Sequence, residues 1–248
     1  MCDKVFVNYI YDSAYTIDYR DYFLVFDYAR GVLDIPENKN VIFFASAKGK
    51  DSYTEEIFNL GELDSLNYIL NKSIVDFRYD GNIIYLNKDK LKMKNLKKLY
   101  AKDNVHFMEP DSRIRLDFSD EEIIISAFSV DGFTLGYLIE IESLVIFYGG
   151  SFNLDKIDED AYLDLLDELS DSKPDMIFLP ITNLDKISLA HLDKLIHDAD
   201  SQIFFPTKIG GVEEESMEFR KFYKSKTTDI RDIKKANQEI EIDIKGAY

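Results

Sequence analysis

The chain has 248 residues, 46% of them apolar with 18 Phe, 16 Tyr and no Trp, enough for a substantial core, and one domain over residues 1–248 is the simplest organisation. Its 47 acidic residues against 30 basic ones give a formal net charge of −17, a field that repels nucleic acid and anionic membrane surfaces, so neither is expected as a partner. The lone Cys2 excludes an internal disulfide and a thiolate metal cluster; with no export signal at Met1-Cys2-Asp3-Lys4 and no long uncharged apolar run, a cytoplasmic protein without a membrane span is expected.

Val5-Phe6-Val7-Asn8-Tyr9-Ile10 and Tyr22-Phe23-Leu24-Val25-Phe26-Asp27 are β-branched and aromatic runs that predict strands, with a turn near Arg20-Asp21 between them. Val41-Ile42-Phe43-Phe44 is too uniformly apolar for a half-exposed strand and predicts one inside a layered structure. A loop from Ala45 to Ser52 then leads into a short helix through Tyr53-Thr54-Glu55-Glu56-Ile57-Phe58. Further strands are expected at Ile83–Leu86, Glu122–Phe128, Gly136–Glu140 and Leu144–Tyr148, and Val105-His106-Phe107-Met108 starts or flanks another.

Two helices follow from periodicity. Ile157, Ala161, Leu165 and Leu169 recur every four residues with Leu166 beside them, and Leu189, Leu192, Leu195 and Ile196 form a stripe after Ser188. Each precedes an apolar strand, Met176–Leu179 and Gln202–Phe205, ending in Pro180 and Pro206. A helix near Met217 to Tyr223 and a strand from Ile240 to Ile244 complete the chain. Strands early and alternating helix and strand later suit packed sheets with helices outside.

Three segments carry a family resemblance. Ala47-Lys48-Gly49-Lys50-Asp51-Ser52 follows an apolar strand and precedes Tyr53-Thr54-Glu55-Glu56-Ile57; Ile146-Phe147-Tyr148-Gly149-Gly150-Ser151-Phe152-Asn153 closes a later strand; Phe204-Phe205-Pro206-Thr207-Lys208 closes another. In order and context they resemble the bacterial metallo-β-lactamase-fold hydrolases, over about Val5 to Gly211, with Ser129-Val130-Asp131 and Phe26-Asp27-Tyr28 as further points of likeness. The resemblance implies an α/β (α+β) fold: an αββα four-layer sandwich with two central mixed sheets and helices on both outer faces. In the family the three segments read His-x-His-x-Asp-His, His-Ala-Gly-Asp and Pro-Met-His. Here Ala47, Gly49 and Ser52 replace three histidines, Tyr148 and Ser151 replace the next His and the bridging Asp, and Lys208 replaces the last ligand; only Asp51 survives.

Zinc needs three or four N, S or carboxylate donors at about 2 Å, which methyl, hydrogen and hydroxyl side chains do not supply. No cofactor is expected: zinc is disfavoured, and Asp51 with Asp131 would hold at most a hydrated Mg²⁺ or Ca²⁺ weakly. The three histidines do not repair the set: His191 and His197 lie roughly 240° apart around a helix, and His106 reads as structural or exposed.

Lys48, Lys50 and Lys208 invite a site for a small anionic ligand, a phosphate or carboxylate, near the vacated metal position; the alternative is that all three point to water. Tyr148 and Ser151 could act as acid and nucleophile, although no adjacent base is evident in sequence. Asp51 and Asp131 read first as acceptors that fix loop backbones. The seven lysines from Lys88 to Lys102, with Leu91, Met93, Leu96 and Leu99 interleaved, read as a solvated edge sooner than a partner face. The leading expectation is a degenerate member that has lost zinc hydrolase activity and serves in ligand binding or a structural or regulatory role. Beside it stand a metal-dependent hydrolase with an atypical site around Asp51, Asp131, Tyr148, Ser151 and Lys208, and a protein–protein interaction module. Oligomeric state and partners do not follow from sequence.

Overall fold

The computed structural model describes residues 2–62, 65–75, 98, 100–118, 121–181, 184–210, 213–223 and 227–245. Among these the strands are β1 Cys2–Tyr11, β2 Ala14–Tyr19, β3 Tyr22–Phe26, β4 Asn40–Ala45, β5 Leu66–Asn71, β6 Val105–Met108, β7 Arg113–Phe118, β8 Glu121–Phe128, β9 Gly136–Ile141, β10 Leu144–Tyr148, β11 Met176–Pro180, β12 Ile203–Thr207, β13 Asp229–Ile230 and β14 Gln238–Lys245. The helices are α1 Glu159–Ser172, α2 Lys186–Ala199 and α3 Glu213–Phe222, with 3-10 turns at Glu55–Asn59 and Lys72–Ile74.

These strands form two seven-stranded sheets, ordered β14-β1-β2-β3-β4-β5-β6 and β13-β12-β11-β10-β9-β8-β7. In each sheet one half is antiparallel and the other parallel: β3 through β6 run parallel in the first, β10 through β13 in the second. Successive side chains of a strand point to opposite faces, and in β3, β4, β10, β11 and β12 both faces are apolar. Leu24, Phe26, Ile42 and Phe44 meet Ile146, Tyr148, Phe178 and Phe205 between the sheets. The alternate residues Val25, Val41 and Phe43 face one outer layer, and Phe147, Ile177 and Phe204 the other. This two-sided burial explains the uniformly apolar strands in the sequence.

On the second sheet lie α1 and α2, burying Tyr162, Leu165, Leu166 and Leu169 from one and Leu192, Leu195, Ile196 and Ala199 from the other. Asp158 and Asp185 accept backbone N–H groups at their N-termini, and left-handed Lys173 and Asp200 end them. The outer face of the first sheet is covered by the two 3-10 turns and by Tyr28, Leu33, Ile35 and Tyr100. This is the α/β sandwich of two mixed sheets that the sequence predicts.

Several local expectations change. The segment between the opening strands contains β2, entered through a second turn at Asp12-Ser13 with Asp12 at φ 56°. The short helix is a 3-10 turn, Glu55–Asn59. Leu189 is exposed, and Ser188 and Ala199 take the ends of the buried stripe. The strand expected at Ile83–Leu86 lies outside the described residues, as do Leu91, Met93, Leu96, Leu99 and most of the Lys88 to Lys102 lysines. Phe133 is the only exposed aromatic among the described residues, so the aromatic content serves the core more than the surface. No described helix is long and apolar enough to cross a membrane.

Candidate functional site

Parallel strands deliver their C-terminal ends to one edge of a sheet, where loops build clefts. Asp27 follows β3, Ser46 follows β4, Ser151 lies just beyond β10 and Lys208 follows β12. Asp27 and Lys208 both adopt left-handed backbone, with φ of 45° and 57°, which turns the chain sharply at the strand end. Because β2 pairs antiparallel with β3, its entry turn, Asp12-Ser13, reaches the same edge.

Asp27 is fully buried. Its Oδ1 accepts the Ser46 N–H at 2.7 Å; its Oδ2 accepts the Ser46 hydroxyl at 2.6 Å and the Ser151 hydroxyl at 3.3 Å. Burial pushes its carboxyl up to about 6, against the opposing pull of these donors and of the Tyr148 hydroxyl. The Ser52 and Ser151 hydroxyls are 2.8 Å apart. Since Ser151 has a single proton and gives it to Asp27, Ser52 is the donor to Ser151. Three residues at ligand positions of the resembled family, or next to them, thus form one hydrogen-bonded chain, Ser52 to Ser151 to Asp27.

Asp131 spends its carboxylate on backbone. Oδ1 accepts the N–H groups of Phe133 and Thr134 at 2.9 and 2.7 Å, and Oδ2 accepts that of Asn153 at 2.9 Å, tying the 129–134 loop to the Ser151 loop. Tyr148 is also internal: its hydroxyl donates to the Ser13 carbonyl at 2.6 Å and its ring stacks on Phe26 at 4.4 Å. Burial, then the neighbouring Asp27, drives its hydroxyl well above the usual tyrosine range.

Lys208 Nζ donates to the Phe152 carbonyl at 3.1 Å, and its backbone N–H donates to Ser13 Oγ at 3.2 Å. Burial lowers its pKa, while Asp131, Asp12, Asp27 and Asp155 oppose that shift by favouring the charged form. Asp12 accepts the Gly210 N–H at 2.8 Å, and burial raises its carboxyl.

A cleft of about 360 Å³ opens among Asp12, Ala47, Gly49, Asp51, Ser52, Thr134, Ser151 and Lys208. It gathers every replaced ligand position except Tyr148, which sits beneath it in the core. Of the three lysines only Lys208 lines it; Lys48 borders a neighbouring, largely apolar cleft of about 850 Å³, with Met108, Phe133 and Leu135, and Lys50 is exposed outside. Neither Asp131 nor any histidine lines it: His191 lies against the Leu154 carbonyl, His197 beside Asp198, and His106 is half-buried in β6. Asp12 and Thr134 join the cleft without having been singled out in sequence; Asp12-Ser13 has turn-favouring residues but no glycine or proline, so the turn that carries Asp12 was not read.

The donor set does not fit the metal that the family resemblance implies. No group of three or more His, Cys, Asp or Glu side chains able to hold a metal occurs among the described residues. The cleft offers two carboxylates, Asp12 already bonded to Gly210, three weakly donating hydroxyls, and an ammonium whose charge opposes a cation.

No protein-family model and no curated protein matches the sequence. Solved structures do match. A metallo hydrolase of the hyperthermophilic archaeon Ignicoccus hospitalis, Igni18, superposes with TM-score 0.64 at 9% identity, covering 98% of this chain and 100% of that one. A possible metal-dependent hydrolase of Veillonella parvula DSM 2008 gives 0.58 at 8%, covering 95% and 98%. The metallo-β-lactamase fold protein YhfI of Bacillus subtilis gives 0.57 at 15%, covering 96% and 99%. At such identities the likeness concerns the fold, and the fold is that of the metallo-β-lactamases.

Proposed function

We propose that this chain does not perform zinc hydrolysis and that its cleft binds a small zwitterion, with the carboxylate on Lys208 and the ammonium toward Asp51 and Asp12. The observation that carries this reading is Lys208 in the lining of a cleft that otherwise holds two carboxylates, three hydroxyl side chains, Ala47 and Gly49. A cation fixed there supplies positive charge where the resembled family uses a metal, and it accepts a carboxylate as partner. An anion alone also meets Asp12 and Asp51 in the same lining, and a net charge of −17 around it; a ligand bearing both signs satisfies both.

Amide chemical-shift titration with glycine, propionate and ethylamine tests it. Glycine is expected to perturb the cleft most strongly, with its affinity falling about tenfold, roughly 1.4 kcal/mol, in Lys208→Gln. Equal response to all three probes, or a Lys208→Gln protein that binds glycine unchanged, would refute the reading.

A further inference from the structure

A serine hydroxyl becomes a nucleophile when a base stands within hydrogen-bond reach to take its proton, often through a contact that is long in the free protein. Sequence gives Ser151 no such base. The fold gives it Asp27, 124 residues earlier, 3.3 Å away at Oδ2. Asp27 is itself held: both its oxygens accept from Ser46, so the carboxylate has one orientation. Ser52 donates to Ser151 from the other side at 2.8 Å, which fixes the Ser151 oxygen while its proton faces Asp27. Ser52 and Ser151 both line the cleft, where Lys208 is the only basic residue among the described lining. A hydroxyl bonded to a carboxylate, a neighbouring hydroxyl donor, a lysine and a cavity therefore coincide.

We propose that Ser151 is a metal-free nucleophile in this cleft, with Asp27 as its base, acting on small esters whose acyl group carries an ammonium. The inference rests on the zwitterion reading above, since hydrolysis of such an ester yields that zwitterion. With the ammonium toward Asp51, the ester carbonyl oxygen faces Lys208. Ser151 Oγ forms a bond to the carbonyl carbon as its proton passes to Asp27 Oδ2; negative charge gathers on the carbonyl oxygen beside the Lys208 ammonium. Collapse breaks the bond to the alcohol oxygen, which leaves with the proton from Asp27. Water then attacks the acyl-serine, giving a proton to Asp27, and Ser151 departs by taking it back. The sum is ester plus water to acid plus alcohol, with no change of oxidation state. Ser52 acts as a positioning residue.

Hydrolysis of glycine ethyl ester against ethyl propionate, followed by pH-stat, together with labelling by a small fluorophosphonate and mass mapping, tests this on the full chain. Glycine ethyl ester is expected to turn over at least tenfold faster than ethyl propionate, with the label on Ser151. Turnover falls a hundredfold or more in Ser151→Ala and in Asp27→Asn, and Lys50→Gln leaves it unchanged. Ser151→Ala removes one hydroxyl and leaves Asp27 bonded to Ser46, so it decides the matter if Asp27→Asn does not fold. Turnover surviving Ser151→Ala, a label on another residue, or a wild-type protein that neither hydrolyses nor labels would overturn the inference. Lys208-dependent glycine binding without turnover or label refutes the nucleophile and leaves the binding reading standing. A Ser151 label without Lys208-dependent binding refutes the substrate class and that reading together.

Discussion

Two buried aspartates beside the cleft are held in opposite ways, and their energetics differ accordingly. Asp131 accepts three backbone N–H groups, so its charge is met by dipoles that have no other partner. Asp131→Ala strands those donors and is expected to cost on the order of 3 kcal/mol in urea unfolding; a loss below about 0.5 kcal/mol would show that the loops hold themselves. Asp27 is buried more deeply than its donors compensate, and its carboxyl sits at about 6, above the usual value of 3.8. A raised carboxyl binds its proton more tightly in the folded state, so its contribution is fully present below about pH 4 and is lost as pH rises through 6. The stability of wild type minus Asp27→Asn should therefore fall by on the order of 3 kcal/mol between pH 4 and 7 and then level off. A difference that does not vary with pH would contradict this account of Asp27.

At the scale of elements, the site depends on turns that follow the parallel strands. Gly150, two residues after the end of β10, has φ of 25°, and a Cβ there would run into the Tyr148 ring beneath it. Tyr148 is pinned by Ser13 and stacked on Phe26, so it cannot yield. Gly150→Ala is expected to lower the melting temperature through a loss of about 2–3 kcal/mol; unchanged melting would mean that the turn relaxes freely. The strands that flank these turns were readable in sequence because burial on both faces left them uniformly apolar, as in Val41–Phe44 and Met176–Leu179. β7 went unread for the opposite reason. Its Arg113, Arg115 and Asp117 alternate with Ile114, Leu116 and Phe118 at a sheet edge, a weaker signal. Ala14–Tyr19 was hidden because the Asp12-Ser13 turn contains no glycine or proline to mark it.

Across the whole molecule, two sheets with similar halves bring the ends of β3, β4, β10 and β12 to one edge, and with them Asp27, Ser46, Ser151 and Lys208. Motif order and context in the sequence pointed to this assembly, and the solved structures share its fold. Most partners within the site were not legible. That Asp27 would accept from Ser151 and that Tyr148 would sink into the core are consequences of tertiary contacts between segments far apart in sequence, whereas Asp131 was readable as an acceptor that fixes loop backbone and only its bond to Asn153 was not. The central claim is that these residues form a site without a chelated transition metal, because an ammonium and hydroxyls stand among its lining. Elemental analysis of the chain purified after exposure to excess zinc and desalting tests it most directly. Well under one zinc per chain is the expected result; one or two tightly held zinc ions, released by Asp51→Ala, would contradict it.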